Sequence, residues 1–406
     1  MLILTITILF SLAIFGCLSS KSLISPEFIS PCSWGGILLF YQTLPHGLYH
    51  LSGKILYIII LWNIFLIFGV YTSRTIVNIK KYSNEQLDTL TGFSRQIYNL
   101  YYAIAVIGFL PTVYITYKQI QIIGGDFFYS LRMANTGLVE TDISLGIFAY
   151  TFTFAYIAYC IELILLRKNS KKRRFIILII INLLLAFITV SKSAFLFLII
   201  PSIIIYLIKN KRLTPNLKVI KYIFLAFLLM AGIQTLRDNK SINRADSSIV
   251  FYTYLLGGVP ALDKIVNSDM TSYQTGQNTL VLLNNISQKI GLSKRDEKIY
   301  LDDITYEGYI DVPYPTNVYT AIGPIWLDFK YYGIVIFSFI IGYLSGFFYY
   351  KALRYSWALI VYAYLFCVLI LQFFGEYIFT NLSLLLQLIL LSYFAYLFRN
   401  KRFVFK

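Results

Sequence analysis

Cysteine, histidine and acid are all scarce in this chain. It has four cysteines and two histidines in 406 residues. Cys17, Cys32, Cys160 and Cys367 lie in or beside apolar runs, with no CxxC pair and no Cys/His cluster, so neither a disulfide framework nor a zinc site is indicated. Charged residues make up 13% of the chain, against about 25% in a soluble domain. With 58% hydrophobic residues, the composition excludes an ordinary soluble fold. There is no Gly-rich phosphate cradle, no Ser/His/Asp order and no helix-borne HExxH. Internal repeats and low-complexity tracts are also missing. Glu162 is the one acid well inside an apolar run, and a proton-coupled carrier would need more intramembrane charge than that.

What is abundant is apolar sequence of spanning length. A membrane helix needs roughly 20 apolar residues. Such runs are drawn over Leu2–Ser19, Cys32–Leu51, Ile55–Thr72, Ile97–Tyr117, Leu145–Leu166, Phe175–Thr189, Ala194–Ile208, Ile220–Leu236, Ile334–Tyr350, Trp357–Phe374 and Tyr377–Phe398. The second is weak, because it holds Gln42, Pro45, His46 and His50. The first has no basic residue before it and is expected to be a retained span rather than a cleaved signal. Tyr (35) and Phe (33) supply interfacial aromatics. The net charge of +16 invites a nucleic-acid reading. However, the basic residues concentrate in short loops such as Arg167–Arg174 and Lys209–Lys218, where the positive-inside rule puts them. The surplus therefore marks the cytoplasmic side, and no nucleic-acid partner is expected. The expected fold is an all-α integral membrane protein of about eleven spans (ten to twelve). Residues 1–236 hold the first eight spans, 237–333 form one large periplasmic loop, and 334–406 hold the last three and a cytoplasmic tail.

That loop interrupts the apolar pattern. Asp238, Asp246, Asp263, Asp269, Asp296, Glu297, Asp302, Asp303, Glu307, Asp311 and Asp328 are 11 of the 19 acids in the protein. Such a loop favours a site built outside the bilayer over a plain pore. Within it, Ile249–Val266 is apolar around Gly257-Gly258 and Pro260, which suits an interfacial or re-entrant segment. Over Asn278–Gly291, Leu280, Leu283, Ile286 and Ile290 share one helical face, as in a helix lying on a membrane surface.

Four cations fall on the outer side, against the topological trend: Arg132, Lys192, Arg237 and Arg244. A bound phosphate would account for them, since arginine binds phosphate bidentately and keeps its charge on partial burial; loop salt bridges are the competing account. Asp302-Asp303 with Glu307 has the ligand types for a metal, but adjacent acids in a polar loop are usually solvated, and no metal is expected. Asp328 stands in the apolar approach to a span, Gly323-Pro-Ile-Trp-Leu-Asp-Phe, where an acid is either functional or tied as a cap or ion pair. His46 and His50, four apart, are placed on one helical face at the outer end of the weak span, with interfacial packing as their ordinary role.

Asn317-Val318-Tyr319-Thr320, then Gly323-Pro324, then Asp328-Phe329 and Gly333 before a span, resembles the signature of the oligosaccharide repeat unit polymerases, the Wzy-type O-antigen or capsule polymerases of bacteria. Phe127–Arg132 is similar to their outer-loop segment ending in Arg, and Thr189–Lys192 to their Ser-Arg hairpin tip. Two positions depart: Lys192 stands where Arg is expected, and Lys330 where Gly is common. The resemblance implies a membrane glycosyltransferase-type fold related to the O-antigen ligases. It implies undecaprenyl-diphosphate-linked glycans as donor and acceptor, membrane lipids and a chain-length regulator protein as partners, and no cofactor. The four cations would then stabilise the leaving diphosphate. Asp328 or Asp246 would be the general base, and Asn317, Tyr319 and Thr320 the sugar contacts. A ligase of the same chemistry and a non-enzymatic flippase or exporter are the alternatives. The ligases often show a histidine in the large loop, and none is present there.

Overall fold

The computed structural model describes residues 1–77, 92–125, 127–136, 143–166, 172–189, 192–213, 247–268, 271–272, 275–292 and 310–399. These residues are mostly helical. Among the described residues, five helical segments are long and apolar enough to cross a membrane: Leu2–Ser20, Gly53–Ile76, Arg95–Ile123, Gly146–Leu165 and Ile322–Ala352. Shorter apolar helices cover Ser193–Lys209, Ser356–Leu371 and Leu382–Leu397. The expected span Ile220–Leu236 lies outside the described residues.

The chain divides into two compact units. The first comprises Met1–Lys81, Leu213–Tyr350 and Leu365–Leu385. It opens with α1 (Leu2–Ser20), α2 (Pro26–Thr43) and α3 (Gly53–Ile76). Lys21 closes α1 in the left-handed conformation, its N–H bonded to the Cys17 carbonyl at 2.8 Å. Helix α2 starts on Pro26, a residue preset for a first helical turn, and ends at Thr43 because Leu44 precedes Pro45 and is extended. The helix is therefore displaced from the expected Cys32–Leu51. As a correction to the sequence reading, His46 and His50 are not helical and share no helix face. His46 Nε2 instead lies 2.8 Å from the Tyr41 carbonyl, with its Nδ1 accepting from Leu48 N–H at 2.9 Å.

The same unit contains α9 (Ser247–Leu256), α10 (Gly258–Asn267), α11 (Val281–Lys289) and α12 (Ile322–Ala352), numbered after the helices of the second unit. The apolar stretch Ile249–Val266 is thus two helices broken at Gly257. Leu256, Val259, Leu262, Ile265 and Val266 are buried in protein, and α10 packs on α3. A two-residue antiparallel ladder, β1 (Ile310–Asp311) with β2 (Pro315–Thr316), is a small departure from an all-helical fold.

Helices α3 and α12 run in the same direction in close contact. A Cβ on Gly342 would overlap the Leu66 carbonyl oxygen, and one on Gly346 would lie 3.0 Å from Val70 Cα. Gly342-Tyr-Leu-Ser-Gly346 is a GxxxG pattern, the small-residue device that lets membrane helices touch through their backbones. Beside this seam runs a buried polar network. Trp62 Nε1–H donates to Gln372 Oε1 at 3.1 Å, Gln372 Nε2 donates to the Ser30 carbonyl at 3.0 Å, and Ser30 Oγ–H donates to Asn63 Oδ1 at 2.9 Å. Without water in the bilayer core, such groups must satisfy one another.

The second unit comprises Tyr82–Arg212, Lys351–Tyr364 and Leu386–Lys406. It holds α4 (Arg95–Ile123), α5 (Phe127–Thr136), α6 (Tyr150–Leu165), α7 (Arg173–Ile188) and α8 (Lys192–Lys209). Helices α7 and α8 match the expected hairpin. Neutral polar links tie each of them to α6: Asn182 Nδ2 of α7 donates to the Ala155 carbonyl at 3.1 Å, and Ser202 Oγ of α8 lies 2.7 Å from Tyr159 Oη. Helices α13 (Ser356–Leu371) and α14 (Leu382–Leu397) pass from one unit's residues into the other's.

Candidate functional site

The segment Asn317–Asp328 packs in the first unit as the entry to α12. Asn317 is exposed, whereas Tyr319 and Thr320 are buried. Thr320 is left-handed (φ 62°) and its Oγ1 accepts from Ile322 N–H at 3.2 Å, a cap on the first turn of α12. It also bridges to Gly375, and Ala321 N–H donates to the Gln372 carbonyl at 2.7 Å. Of the three expected sugar contacts, only Asn317 faces outward; Tyr319 and Thr320 shape the backbone beneath it.

Asp328 is held by three N–H donors. Oδ1 accepts from Asn278 N–H (3.3 Å) and Nδ2 (3.0 Å); Oδ2 accepts from Asn278 N–H (3.0 Å) and Thr279 N–H (2.7 Å). Hydrogen bonds to an ionised acceptor are the strong ones. A carboxylate offers about four lone-pair sites, and these three N–H donors, one of them shared between both oxygens, take up most of them. The carboxylate thereby satisfies N–H groups of the turn that precedes α11 (Val281–Lys289). Leu283 (51% exposed), Ile286 (46%) and Ile290 (64%) then stand on the open apolar face that the sequence periodicity predicts.

No family model, curated protein or solved structure matches this chain.

Two residues beyond Asp328, α12 kinks. Lys330 takes φ 50° and ψ −138°, a conformation suited to glycine. Holding a side chain there costs about 1–3 kcal/mol. The ammonium of Lys330 lies 5.5 Å from the Trp326 ring centroid, and that of Lys54, at the start of α3, lies 5.4 Å from the same ring. Tyr331 meets the ring edge-on at 4.9 Å. Trp326 is 3% exposed and its Nε1–H has no hydrogen-bond partner among the described residues. Lys54 Nζ also donates to the Val266 carbonyl at 2.6 Å. This ties α3 to α10, as Asp263 of α10 does by accepting from Ser52 N–H, just before α3, at 2.8 Å; Asn267 Nδ2 on its own helix also donates to it at 2.8 Å.

The other expected residues fall elsewhere. Arg132 is on α5 and Lys192 opens α8, both in the second unit. Arg237, Arg244 and Asp246 lie outside the described residues, as do Asp302, Asp303 and Glu307. Among the described residues no group of His, Cys, Asp and Glu is clustered to hold a metal.

Sequence reasoning passed over Glu376. It is buried, and its carboxylate accepts from the backbone N–H of Ile378 (2.8 Å), Phe379 (3.0 Å) and Thr380 (2.7 Å) in the turn before α14. Burial raises its pKa, against the pull of those N–H groups. The available signal was its isolation: it is the single acid after Asp328.

Proposed function

We propose that this protein is a polymerase that joins undecaprenyl-diphosphate-linked oligosaccharide repeat units into O-antigen or capsular polysaccharide. It works at the periplasmic face of the bacterial inner membrane, within about eleven spans. A hydroxyl of the acceptor repeat unit attacks the donor's anomeric carbon. The bond to the diphosphate breaks, undecaprenyl diphosphate leaves with the electron pair, and a base takes the hydroxyl proton. Arg132, Lys192, Arg237 and Arg244 stabilise the departing diphosphate. Asp246 is the preferred base, because Asp328 already accepts from three amide N–H donors, one of them shared between both oxygens.

The observation that carries the reading is the signature segment itself. Asn317, Thr320 and Asp328 stand on one continuous piece of chain at the start of a long apolar helix, with Asn317 open to a substrate. The test is the glycan pattern of a strain lacking the protein. A single added repeat unit supports a polymerase; loss of every repeat would point to a ligase or flippase and overturn the proposal. Arg132→Ala, Arg237→Ala and Arg244→Ala should each abolish long chains while the protein still reaches the membrane. Each should cost roughly ten- to a hundredfold in rate.

A further inference from the structure

We propose that α11 lies in the surface of the bilayer, with Leu283, Ile286 and Ile290 among the lipid chains, and that Asp328 pins it there at the entry to α12. The inference does not rest on the polymerase reading; it follows from how one short helix is packed.

Helix α11 is packed inside out for an element in water. At 3.6 residues per turn, Leu283, Ile286 and Ile290 fall within about 60° of one another, and all three are exposed. Asn284 and Gln288 stand on the other side and are half-buried. Asn284 is turned toward protein, its Nδ2 donating to the Gly276 carbonyl at 2.9 Å. A helix on the surface of a soluble protein does the reverse: it buries its apolar stripe and wets its polar one. The element is nonetheless complete. Gly291 leaves it at φ 73°, and Leu292 N–H donates to the Ser287 carbonyl at 3.0 Å, the pattern that closes a helix through a left-handed residue. Leu292 is itself 79% exposed, so the apolar surface continues past the helix end.

What covers the face follows from where α11 is tied. The N–H groups of Asn278 and Thr279, just ahead of it, donate to Asp328 at 3.0 and 2.7 Å, and Ser272 N–H donates to the Leu327 carbonyl at 3.3 Å. Asp328 belongs to Ile322–Ala352, a helix long and apolar enough to cross a membrane. Four residues after it comes Tyr332, 83% exposed, and four further Ile336, 53% exposed. An exposed tyrosine followed one turn later by an exposed isoleucine marks the level at which the lipid-facing surface of a spanning helix begins. Leu283 lies four residues beyond Thr279, about one helical turn. The open face of α11 and the aromatic edge of the spanning helix therefore start from one hydrogen-bonded point, and the apolar phase within reach is the bilayer. Lys289 is exposed on the flank of the same face, where its long stem lets the ammonium reach the headgroups.

The test places nitroxide labels on the full-length protein in nanodiscs of phosphatidylethanolamine and phosphatidylglycerol. Cys17→Ser and Cys32→Ser remove the two half-buried thiols; Cys160 and Cys367 are buried. Labels are carried singly by Leu283→Cys, Ile286→Cys, Ile290→Cys and Asn285→Cys. At the three apolar positions the label should collide more with oxygen, which concentrates in lipid, than with a water-soluble nickel chelate. At Asn285→Cys the order should reverse. More nickel than oxygen at all four positions would put the face in water and overturn the proposal. Low collision with both reagents at the three positions would put protein over the face, a second copy or another partner, and overturn it as well. Adding Asp328→Ala should shrink the difference between Ile286→Cys and Asn285→Cys; an undiminished difference overturns the pinning by Asp328. A second measurement keeps all four cysteines. Leu283→Asn combined with Ile286→Asn and Ile290→Asn should speed hydrogen exchange along α11 in nanodiscs while the spans stay as protected as in wild type. Exchange along α11 no faster than wild type would sink the bilayer contact.

Discussion

The α3–α12 seam and the segments that flank the long apolar helices are held by opposite means. Along the seam, Gly342 and Gly346 let one backbone rest on another, and no charged side chain is needed. In the segments outside it, carboxylates do the holding. Asp328 grips Asn278 and Thr279, Asp263 grips Ser52 and Asn267, and Glu376 grips the turn before α14. The difference follows from the solvent. Inside a bilayer a charge is expensive and close packing is the available attraction. At the boundary, loops have little apolar area to bury, and a carboxylate accepting several N–H groups fixes them with strong, directional bonds.

Breaking the seam should have the largest effect. Gly342→Leu puts four carbons where the Leu66 carbonyl already sits. Overpacking of a tight core typically costs about 1–3 kcal/mol, and more where backbone must move. The variant should fail to give a monodisperse protein on size exclusion. A wild-type melting temperature would show that the helices do not need this contact.

The loop latch should be the next most sensitive. Asp328→Ala leaves three N–H donors of Asn278 and Thr279 without their acceptor. The expected loss is roughly 2 kcal/mol, confined to the loop. Hydrogen exchange at Asn278 and Thr279 should accelerate while the spans stay protected. Uniform acceleration throughout would mean that Asp328 supports the whole unit.

Lys330→Gly runs in the other direction. Relief of the strained backbone is worth about 1 kcal/mol, so the melting temperature should rise. A lower one would show that the stacking of Lys330 on Trp326 contributes more than its backbone costs.

The smallest effect is a pH dependence. Burial holds the Glu376 carboxyl above its ordinary value of 4.5. The folded state then binds this proton more tightly than the unfolded one. Its contribution to stability is complete below about pH 4.5 and is lost as pH rises through the raised folded value. Stability should therefore rise modestly as pH is lowered from that value toward 4.5, and Glu376→Gln should flatten the trend. An identical slope in the variant would assign it to other groups.

Composition and periodicity alone determined that this is a helical membrane protein, because spanning helices announce themselves as long runs without charge. They located the α7–α8 hairpin, the helix over 146–165 and the exposed apolar face of Leu283, Ile286 and Ile290, since each rests on local spacing. They also singled out Asp328 as an acid that needed a partner, without saying which. Its partners, Asn278 and Thr279, lie some fifty residues away in the chain, and no local pattern encodes a contact at that separation. The same is true of Lys54, which looks like an ordinary flanking cation until the pairing of two helices far apart in sequence brings it to the Trp326 ring. The histidines show the converse error. A spacing of four promised a shared helix face, but the helix ends at Thr43, because Pro45 forces the residue before it into an extended conformation.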